Sequence, residues 1–478
     1  MTQADLCTKP ASELAELIRT KQVSPVEVVE QCLARIAVVQ PVLNAFAFTY
    51  PEEALEEARL AEEAISRGDE IGPLHGVPIA IKDFTPTKGK RTTRGSFALE
   101  HWVPDFDPII VQRLRGAGAI MVGKTTTPEF AFSSFTRSPL WGDTVNPWDT
   151  RKCAGGSSGG SGAAVATGCV ALAEGTDMGG SVRIPAAFCG IVGLKPSLGR
   201  IPMDIVNTVF DTISHFGPLA RTVEDAELFL RVTEGPHDID IMSQRDPMPL
   251  PDPLPGDVRG LRLAVSENLN FYAVDSEVAA NFRATCASLA SAGAVVEEVD
   301  LAWTTDMVDA WYDIWGVYIA AAVSDVLPEY RDRMDPEVVA LIDRGMKMNA
   351  VAYRKTEEIR TRQWHALVPI LQRYDALLCP TMALPPPDQT KSDGDFNRVD
   401  ENGLLHGLDM TCLFNSVAQC PALSVPSGLT ASGLPTATQI VGRRFDDPTV
   451  LRIGKAIEAS RPWADGLRDL GKRYANHS

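Results

Sequence analysis

Two glycine- and serine-rich segments, at residues 155–162 and 175–183, constrain this chain more than any other feature. The first reads GGSSGGSG and the second reads GTDMGGSVR. Glycine lets the backbone adopt positive φ and approach a ligand closely, and a serine at the start of a helix lies beside unpaired backbone N–H groups. Such a turn can stabilise the oxyanion that develops during attack on a carbonyl. The pattern therefore indicates acyl chemistry at a serine.

A flexible Gly/Ser linker is the alternative interpretation of these two segments. Linkers of this kind generally lack adjoining hydrophobic structure. Here apolar residues at 163–167, 170–173 and 191–194 lie directly beside the segments. They favour two turns that are packed within a folded domain.

The base that a serine nucleophile needs has to come from elsewhere in the chain. The chain has seven histidines, and none of them sits in a setting that marks it as catalytic. Lys82, in contrast, ends the strand-like apolar run at 77–81. Desolvation lowers the pKa of a buried lysine, so that the neutral amine can accept a proton from a nearby hydroxyl. Lys82 is therefore the candidate base, and a surface lysine at a strand end is the alternative.

Four segments together resemble the amidase signature hydrolases over nearly the whole chain. They are GVPIAIKD around Lys82, VGKTTTPEFAFSS around Glu129, and GGSSGGSGAAVATG and EGTDMGGSVRIPAAFCGIVGLKP within residues 155–196. The resemblance implies a Ser-Ser-Lys triad, in which Ser157 follows a cis peptide bond and bridges the Lys82 amine to the Ser181 hydroxyl. Ser181 then attacks the carbonyl, a proton passes through Ser157 to neutral Lys82, and water hydrolyses the acyl-enzyme.

The same resemblance assigns supporting roles around the triad. It implies an oxyanion hole formed by the backbone amides of Met178, Gly179, Gly180 and Ser181. It implies that the loop is held by Ser158, Asp177 and Arg183. It implies an acyl pocket at residues 130–134 in which Ala131 and Phe132 lie nearest the nucleophile. Neither a metal nor an organic cofactor is implied.

The side chains of the implied pocket are small or aromatic, which predicts an apolar acyl group. The substrates would be small-molecule amides and anilides, and also aryl esters or carbamates because the same acyl-transfer machinery serves each. Trp311, Trp315 and Tyr318 follow at i, i+4 and i+7 and so share one helical face. Plain core packing is the favoured interpretation of that face, and lining of the pocket is the alternative.

Three competing functions remain. Residues 118–125 match the phosphate-loop pattern G-x-x-x-x-G-K-[ST], but their middle is an apolar strand-like run and Pro128 follows. Residues 155–159 match G-x-S-x-G, the nucleophile elbow of Ser-His-Asp hydrolases, but residues 146–152 before them are polar and contain a proline.

The third competing function is that of the glutamine-hydrolysing subunit of a tRNA-dependent amidotransferase. Such a subunit usually carries a GKTNMDEFAMG-like segment where this chain has GKTTTPEFAF at 123–132, which favours a stand-alone amidase.

The order of apolar runs and turns predicts an α/β fold, and the resemblance implies a single domain over 1–478 with a central mixed β-sheet flanked by helices on both faces. Residues 1–70 are predicted to be mainly helical, and the Pro-rich stretch 236–255 to be a surface connection without regular structure. The remaining predicted elements are a helical region at 304–373 and strands at 261–265, 376–379, 422–425 and 438–441.

Composition narrows the remaining function classes. The formal charge of −17 argues against direct binding of nucleic acid, because that affinity rests on Lys and Arg neutralising phosphates. Nine scattered cysteines without a C-x-x-C spacing suggest neither a disulfide framework nor a zinc site. No stretch approaches the roughly 20 apolar residues of a spanning helix. These features predict a cytoplasmic protein without a membrane partner, and they leave a homodimer open.

Overall fold

The computed structural model describes residues 5–475, in which strands and helices alternate along most of the chain. The strands are β1 (Phe46–Thr49), β2 (Pro78–Lys82), β3 (Ile120–Thr125), β4 (Arg137–Ser138), β5 (Gly142–Asp143), β6 (Leu172–Asp177), β7 (Val192–Lys195), β8 (His215–Ala220), β9 (Arg262–Val265), β10 (Val295–Glu298), β11 (Ala376–Pro380), β12 (Asn397–Val399), β13 (Leu405–Gly407), β14 (Ala422–Leu429) and β15 (Pro435–Gly442).

The α-helices cover both faces of the main sheet. They are α1 (Ala11–Arg19), α2 (Pro25–Leu43), α3 (Pro51–Arg67), α4 (Ile109–Gly116), α5 (Gly159–Ala166), α6 (Arg183–Cys189), α7 (Val223–Thr233), α8 (Ser276–Ser291), α9 (Asp306–Val323), α10 (Leu327–Tyr330), α11 (Pro336–Lys347), α12 (Ala350–Arg373), α13 (Leu413–Ser416), α14 (Asp447–Ser460) and α15 (Ala464–Arg473). Short 3-10 turns occur at Leu6–Thr8, Phe97–Leu99, Glu129–Ala131, Arg331–Arg333 and Asp393–Phe396.

Eleven strands form one mixed sheet in the order β1-β3-β2-β6-β8-β7-β14-β15-β11-β9-β10. Strand β2 runs parallel to both of its neighbours, β3 and β6, whereas β14 and β15 form an antiparallel pair. Successive residues of a strand point to opposite faces. Accordingly Leu423 belongs to the same core cluster as Leu451 of α14, while Ala422 belongs to the cluster that contains Leu413 of α13. The predicted α/β fold with a mixed sheet between helices is confirmed.

The N-terminal part of the chain departs from its prediction at one place. Helices α1, α2 and α3 account for most of its described residues, but β1 interrupts them and pairs antiparallel with β3 at the edge of the sheet. The run Phe46–Thr49 is only four residues long. A strand this short carries almost no periodicity, so the mainly helical prediction passed over it.

The other predicted segments match the structure. No helix or strand of the described residues falls within 236–255, although Leu250 and Leu254 of this segment are buried and hold it against the core. The helical region at 304–373 consists of α9, α10, α11 and α12. The strands predicted at 376–379, 422–425 and 438–441 are the cores of β11, β14 and β15.

The topology brings the two signature turns to one edge of the sheet. Because β2 and β6 are parallel neighbours, their carboxyl ends lie side by side, and these ends are Lys82 and Asp177. Helix α5 begins immediately after Ser158, and α6 begins two residues after Ser181. Two strand ends and two helix starts therefore converge on one point.

Candidate active site

Lys82 reaches this point from the end of β2 and is fully buried. Its Nζ donates to the Ser157 hydroxyl at 2.6 Å and to the Thr176 hydroxyl at 3.0 Å. Burial lowers the pKa of Lys82 to about 7, against the opposing charges of Glu174 and Asp177. A large fraction of the amine is therefore neutral near pH 7 and able to accept a proton.

Glu174 positions the strand end that carries the lysine and does not pair with the amine. Its Oε2 accepts the backbone N–H of Lys82 at 2.9 Å, and its Oε1 accepts the Thr85 hydroxyl at 2.9 Å. Burial raises the pKa of the Glu174 carboxyl. No carboxylate of residues 5–475 forms an ion pair with the amine, and its side-chain hydrogen bonds go to hydroxyl groups.

Ser157 lies between the lysine and the cavity. The peptide bond between Gly156 and Ser157 is cis, as the resemblance implied. A Cβ atom at Gly156 would lie 2.3 Å from the carbonyl oxygen of Ser133, so only glycine fits there. The next residue joins the two turns, because the N–H of Ser158 donates to the carbonyl of Ser181 at 3.1 Å.

Ser181 is partly exposed and lines the same cavity as Ser157. Among the hydrogen bonds of residues 5–475 its Oγ takes part in none. The hydroxyl is thus free to approach a carbonyl carbon in the cavity. The structure brings Lys82, Ser157 and Ser181 together at one site.

The oxyanion turn differs from the arrangement that the resemblance implied. The N–H of Gly180 donates to Asp177 Oδ1 at 2.8 Å and is not free for a ligand, which corrects the assignment of all four amides. The amides of Met178, Gly179 and Ser181 have no hydrogen-bond partner within the described part of the chain. Three donors therefore remain for an oxyanion, and the fourth fixes the turn.

A buried ion pair holds this turn. Arg183 Nε and Nη2 donate to the two oxygens of Asp177, each at 2.9 Å, and Asn415 Nδ2 donates to Asp177 Oδ1 at 2.9 Å. Burial alone would raise the pKa of Asp177, but the Arg183 guanidinium outweighs it and holds that pKa well below the usual range. The carboxylate stays charged and keeps its hydrogen bond to Gly180 across the physiological pH range.

A cavity of about 490 Å³ opens onto the two serines. Its walls are mostly apolar, and they include Phe84, Phe130, Ala131, Met203, Ile205, Trp315, Tyr318 and Ile319. Ala131 lines this cavity as expected, whereas Phe132 faces a second cleft of about 20 Å³ that also reaches Ser181. Phe132 therefore stands beside the nucleophile but outside the main pocket.

The aromatic face of α9 does more than pack the core. Trp315 and Tyr318 line the large cavity, so the favoured interpretation as plain core packing is wrong for them. Trp311 is 5% exposed and supports the oxyanion turn, because its Nε1 donates to the carbonyl of Met178 at 3.1 Å. A Cβ atom at Gly179 would lie 2.1 Å from the Trp311 ring, so this position also has to be glycine.

Known proteins resemble this chain over almost its whole length. The Amidase family model matches residues 27–451. The chain is 36% identical to an acylamidase of Rhodococcus erythropolis, covering 97% of this chain and 98% of that protein. It is 33% identical to a glutamyl-tRNA(Gln) amidotransferase subunit of Chloroflexus aggregans, covering 99% of this chain and all of that protein. A solved bacterial aryl acylamidase of the amidase signature family superposes with a TM-score of 0.92 at 31% identity, covering 98% and 99% of the two chains.

The chain belongs to the amidase signature family. It is an enzyme that hydrolyses amide C–N bonds. Within residues 5–475 the amidase has no cluster of three or more His, Cys, Asp or Glu arranged to hold a metal ion. None of the helices described is both long enough and apolar enough to cross a membrane.

Two competing interpretations conflict with the structure of the amidase. Residues 120–125 of the phosphate-loop match form strand β3, and the buried Nζ of Lys124 donates to the carbonyl of Thr85 at 2.8 Å. For the nucleophile elbow, no strand precedes the serine within the described residues 146–152, and no histidine lines the cavity. His215 is buried, and burial lowers its pKa to about 3.

Several residues of the amidase site were not predicted from the sequence. Thr176 and Glu174 point to the same side of β6 and contact Lys82, and their place in the signature block was the available signal. Phe84 and Arg94 line the cavity, as does the segment 205–208 together with Met203 and Phe210. No local pattern marks these residues, because loops far apart in the chain bring them to one wall.

Proposed function

We propose that this amidase cleaves amides of apolar or aryl acyl groups, anilides among them, through an acyl-enzyme on Ser181. The observation that carries the proposal is the 2.6 Å contact between Lys82 Nζ and Ser157 Oγ at the wall of an apolar cavity that Ser181 also lines. A neutral amine, a relay hydroxyl and a free hydroxyl are the groups that acyl transfer needs.

The proposed reaction begins with Lys82 neutral. Ser181 Oγ attacks the carbonyl carbon while its proton passes to Ser157, and the Ser157 proton passes to Lys82 Nζ. The oxyanion accepts hydrogen bonds from the amides of Met178, Gly179 and Ser181. The proton then returns through Ser157 to the leaving nitrogen, the C–N bond breaks, and an ester to Ser181 remains. Water then attacks the ester carbonyl and passes a proton through Ser157 to Lys82. The bond between the carbonyl carbon and Ser181 Oγ breaks, the proton returns through Ser157 to Ser181 Oγ, and the carboxylic acid leaves.

The walls of the cavity support the substrate class. Phe84, Phe130, Trp315 and Ile319 offer aromatic and aliphatic contacts, which favour an apolar or aryl group over a highly polar one. Two of the similar proteins are named acylamidase and aryl acylamidase. Aryl esters and carbamates present the same carbonyl to the same groups, so we include them as slower or alternative substrates.

The glutamine-hydrolysing role is the second candidate, and the 33% identity to an amidotransferase subunit supports it. Glutamine is small and polar at both ends, whereas the cavity is large and mainly apolar. The walls therefore favour the stand-alone amidase. Action on small molecules without direct nucleic-acid contact, a cytoplasmic location and a homodimer stay predictions from the sequence.

A substrate panel tests the proposal. Aliphatic amides, anilides, aryl esters, aryl carbamates and glutamine are offered to the wild type, to Ser181→Ala and to Ser214→Ala. Ser214 lines the same cavity, but its hydroxyl donates to Asp211 Oδ2 at 2.6 Å, so it serves as the matched control. We expect the wild type and Ser214→Ala to cleave anilides and Ser181→Ala to be inactive. Full activity of Ser181→Ala would overturn the nucleophile, and turnover of glutamine alone would favour the amidotransferase role.

A further inference from the structure

The guanidinium of Arg94 lines the large cavity without a carboxylate partner. Within residues 5–475 it forms no salt bridge, and its hydrogen bonds go only to the carbonyl oxygens of Phe84 and Ile205, at 3.3 and 3.2 Å. The buried guanidinium of Arg183, in contrast, is paired with Asp177 at 2.9 Å. The carboxylate of Asp83 acts on Arg94 only from beyond ion-pair distance, and it faces Lys124 at 3.8 Å. No ion pair within residues 5–475 therefore neutralises the charge of Arg94.

Three of the five N–H donors of Arg94 are unused. One donor on Nε and one on Nη2 are taken by the two carbonyls, which leaves both donors of Nη1 and one of Nη2. The rings of Phe84 and Trp102 hold the guanidinium, with their centroids 4.5 and 5.6 Å from its carbon. A planar, fixed group with free parallel donors matches the geometry of a carboxylate.

The backbone of Arg94 is hydrogen-bonded to two segments of the active site. The N–H of Arg94 donates to the carbonyl of Asp83 at 3.0 Å, and the carbonyl of Arg94 accepts the N–H of Phe130 at 2.7 Å. Arg94 is therefore tied both to the end of β2 and to the loop that forms the acyl pocket. Lys82 Nζ lies 5.8 Å from the centroid of the same Phe84 ring that stacks on Arg94. The Phe84 ring therefore lies near both the base and the guanidinium.

The environment makes an unpaired charge unfavourable. Burial lowers the pKa of Arg94 to about 10, so the side chain still carries its charge at neutral pH. Arg94 is half-buried among mainly apolar walls, and its free donors gain from an oxygen atom that a substrate brings into the cavity. Such a contact would act on the choice of substrate, because only some acyl groups supply the oxygen.

We propose that Arg94 is a specificity-determining residue that binds an acceptor oxygen, best of all a carboxylate, at the far end of the acyl group. This rests on the proposed function. The preferred substrates are then amides whose acyl chain is apolar along the cavity walls and ends in such an oxygen.

Two matched p-nitroanilides test the inference. One carries a succinyl group with a free carboxylate, and the other carries a pentanoyl group of similar length without it. We expect the wild type to favour the succinyl compound in kcat/KM by about tenfold or more, as a hydrogen bond to a charged group supplies. Arg94→Met is expected to abolish this preference by losing more activity on the succinyl compound than on the pentanoyl compound, and Arg94→Lys to retain part of it. Equal loss on both substrates, or no preference in the wild type, would overturn the inference.

A binding measurement separates this inference from the proposed function. Calorimetry compares N-phenylsuccinamate with N-phenylpentanamide on Ser181→Ala and on Ser181→Ala combined with Arg94→Met. Tighter binding of the succinamate that disappears with Arg94 supports the inference even if no anilide is cleaved. Cleavage of anilides without any advantage of the carboxylate in turnover or binding refutes the inference and leaves the amidase function in place. Should Arg94→Met fail to fold, the comparison of the two compounds on wild type and Arg94→Lys decides.

Discussion

Two buried lysines of this amidase share one pKa and have different surroundings. Lys82 ends β2 and Lys195 ends β7, both are fully buried, and burial lowers the pKa of each to about 7. Lys82 donates to the hydroxyls of Ser157 and Thr176. Lys195 donates to backbone carbonyls, of which Cys420 O is nearest at 2.8 Å, and its one side-chain contact among the described residues is the His215 ring at 3.5 Å.

The two lysines differ in whether their hydrogen-bond partners can donate a proton as well as accept one. A carbonyl oxygen only accepts, so Lys195 has to keep its protons to satisfy its neighbours. A hydroxyl both donates and accepts, so Lys82 can lose a proton and then take one from Ser157. A lowered pKa alone therefore does not mark a base, and the chemistry of the partner does.

The largest expected effect follows from removing the base. Lys82→Met keeps the bulk of the side chain but cannot accept a proton, and we expect kcat to fall by about 10³-fold or more. The free energy of unfolding should stay within about 1 kcal/mol of wild type, because no buried carboxylate loses its partner. Steady-state kinetics and urea denaturation check both expectations. A variant that keeps more than a tenth of the wild-type kcat would contradict the role of Lys82.

Lys195→Met is the matched variant and should show the opposite pattern. The carbonyls of Cys420, Ala418 and Pro196 lose their donor, which should lower the free energy of unfolding by about 2–4 kcal/mol. We expect kcat to remain within about tenfold of wild type, since Lys195 does not line the cavity. The same urea and kinetic measurements apply. A stable but inactive Lys195→Met would erase the distinction between the two lysines.

The pH dependence of the reaction sharpens the comparison. Only neutral Lys82 accepts a proton, so kcat/KM should rise with pH through an apparent pKa of about 7 and then level off. In the unfolded chain both lysines have their ordinary pKa of 10.5, so between pH 7 and 10.5 the unfolded chain binds more protons than the folded one. The free energy of unfolding therefore rises with pH over that window. In Lys195→Met the rise of kcat/KM with pH should be retained, whereas the free energy of unfolding should rise less with pH than in wild type. An activity profile that is flat between pH 6 and 8, or one that moves in Lys195→Met, would go against the assignment.

The smallest expected effect concerns the second hydroxyl at Lys82. Thr176→Val removes an acceptor that stabilises the charged amine, so the pKa of Lys82 should fall and the acid limb should move down by about half to one pH unit. Thr176→Ser restores a hydroxyl and serves as the control. If both variants shift the limb equally, the contact between Thr176 and Lys82 has no part in setting the pKa.

The family, the fold class and the position of Lys82 at a strand end were predictable, because each depends on local spacing. The apolar runs at 77–81, 422–425 and 438–441 are short, and each is bounded by turn residues, as in a buried strand. The hydrogen bond from the Gly180 N–H to Asp177 was not predictable in this way, because it depends on the direction of the Asp177 side chain in the folded protein. The wall containing Arg94 was missed for the same reason.

Interpretation of the aromatic face of α9 shows the limit of periodicity. The spacing of Trp311, Trp315 and Tyr318 places them on one side of a helix, but it does not say whether that side meets another helix or a cavity. In the structure one part of this face packs against protein and another part lines a cavity: Trp311 contacts the oxyanion turn, whereas Trp315 and Tyr318 line the large cavity. Only the position of α9 relative to the signature turns decides this.

Trapping the acyl-enzyme with a slowly hydrolysed aryl carbamate tests the central claim most directly. Intact-protein mass spectrometry followed by peptide mapping measures the rate and the place of labelling in wild type, Ser181→Ala, Lys82→Met and Lys195→Met. The account predicts a single carbamoyl group on Ser181, none in Ser181→Ala, labelling about 10³-fold slower in Lys82→Met, and labelling within about tenfold of wild type in Lys195→Met. A label on another residue, or equal rates in the two lysine variants, would contradict it.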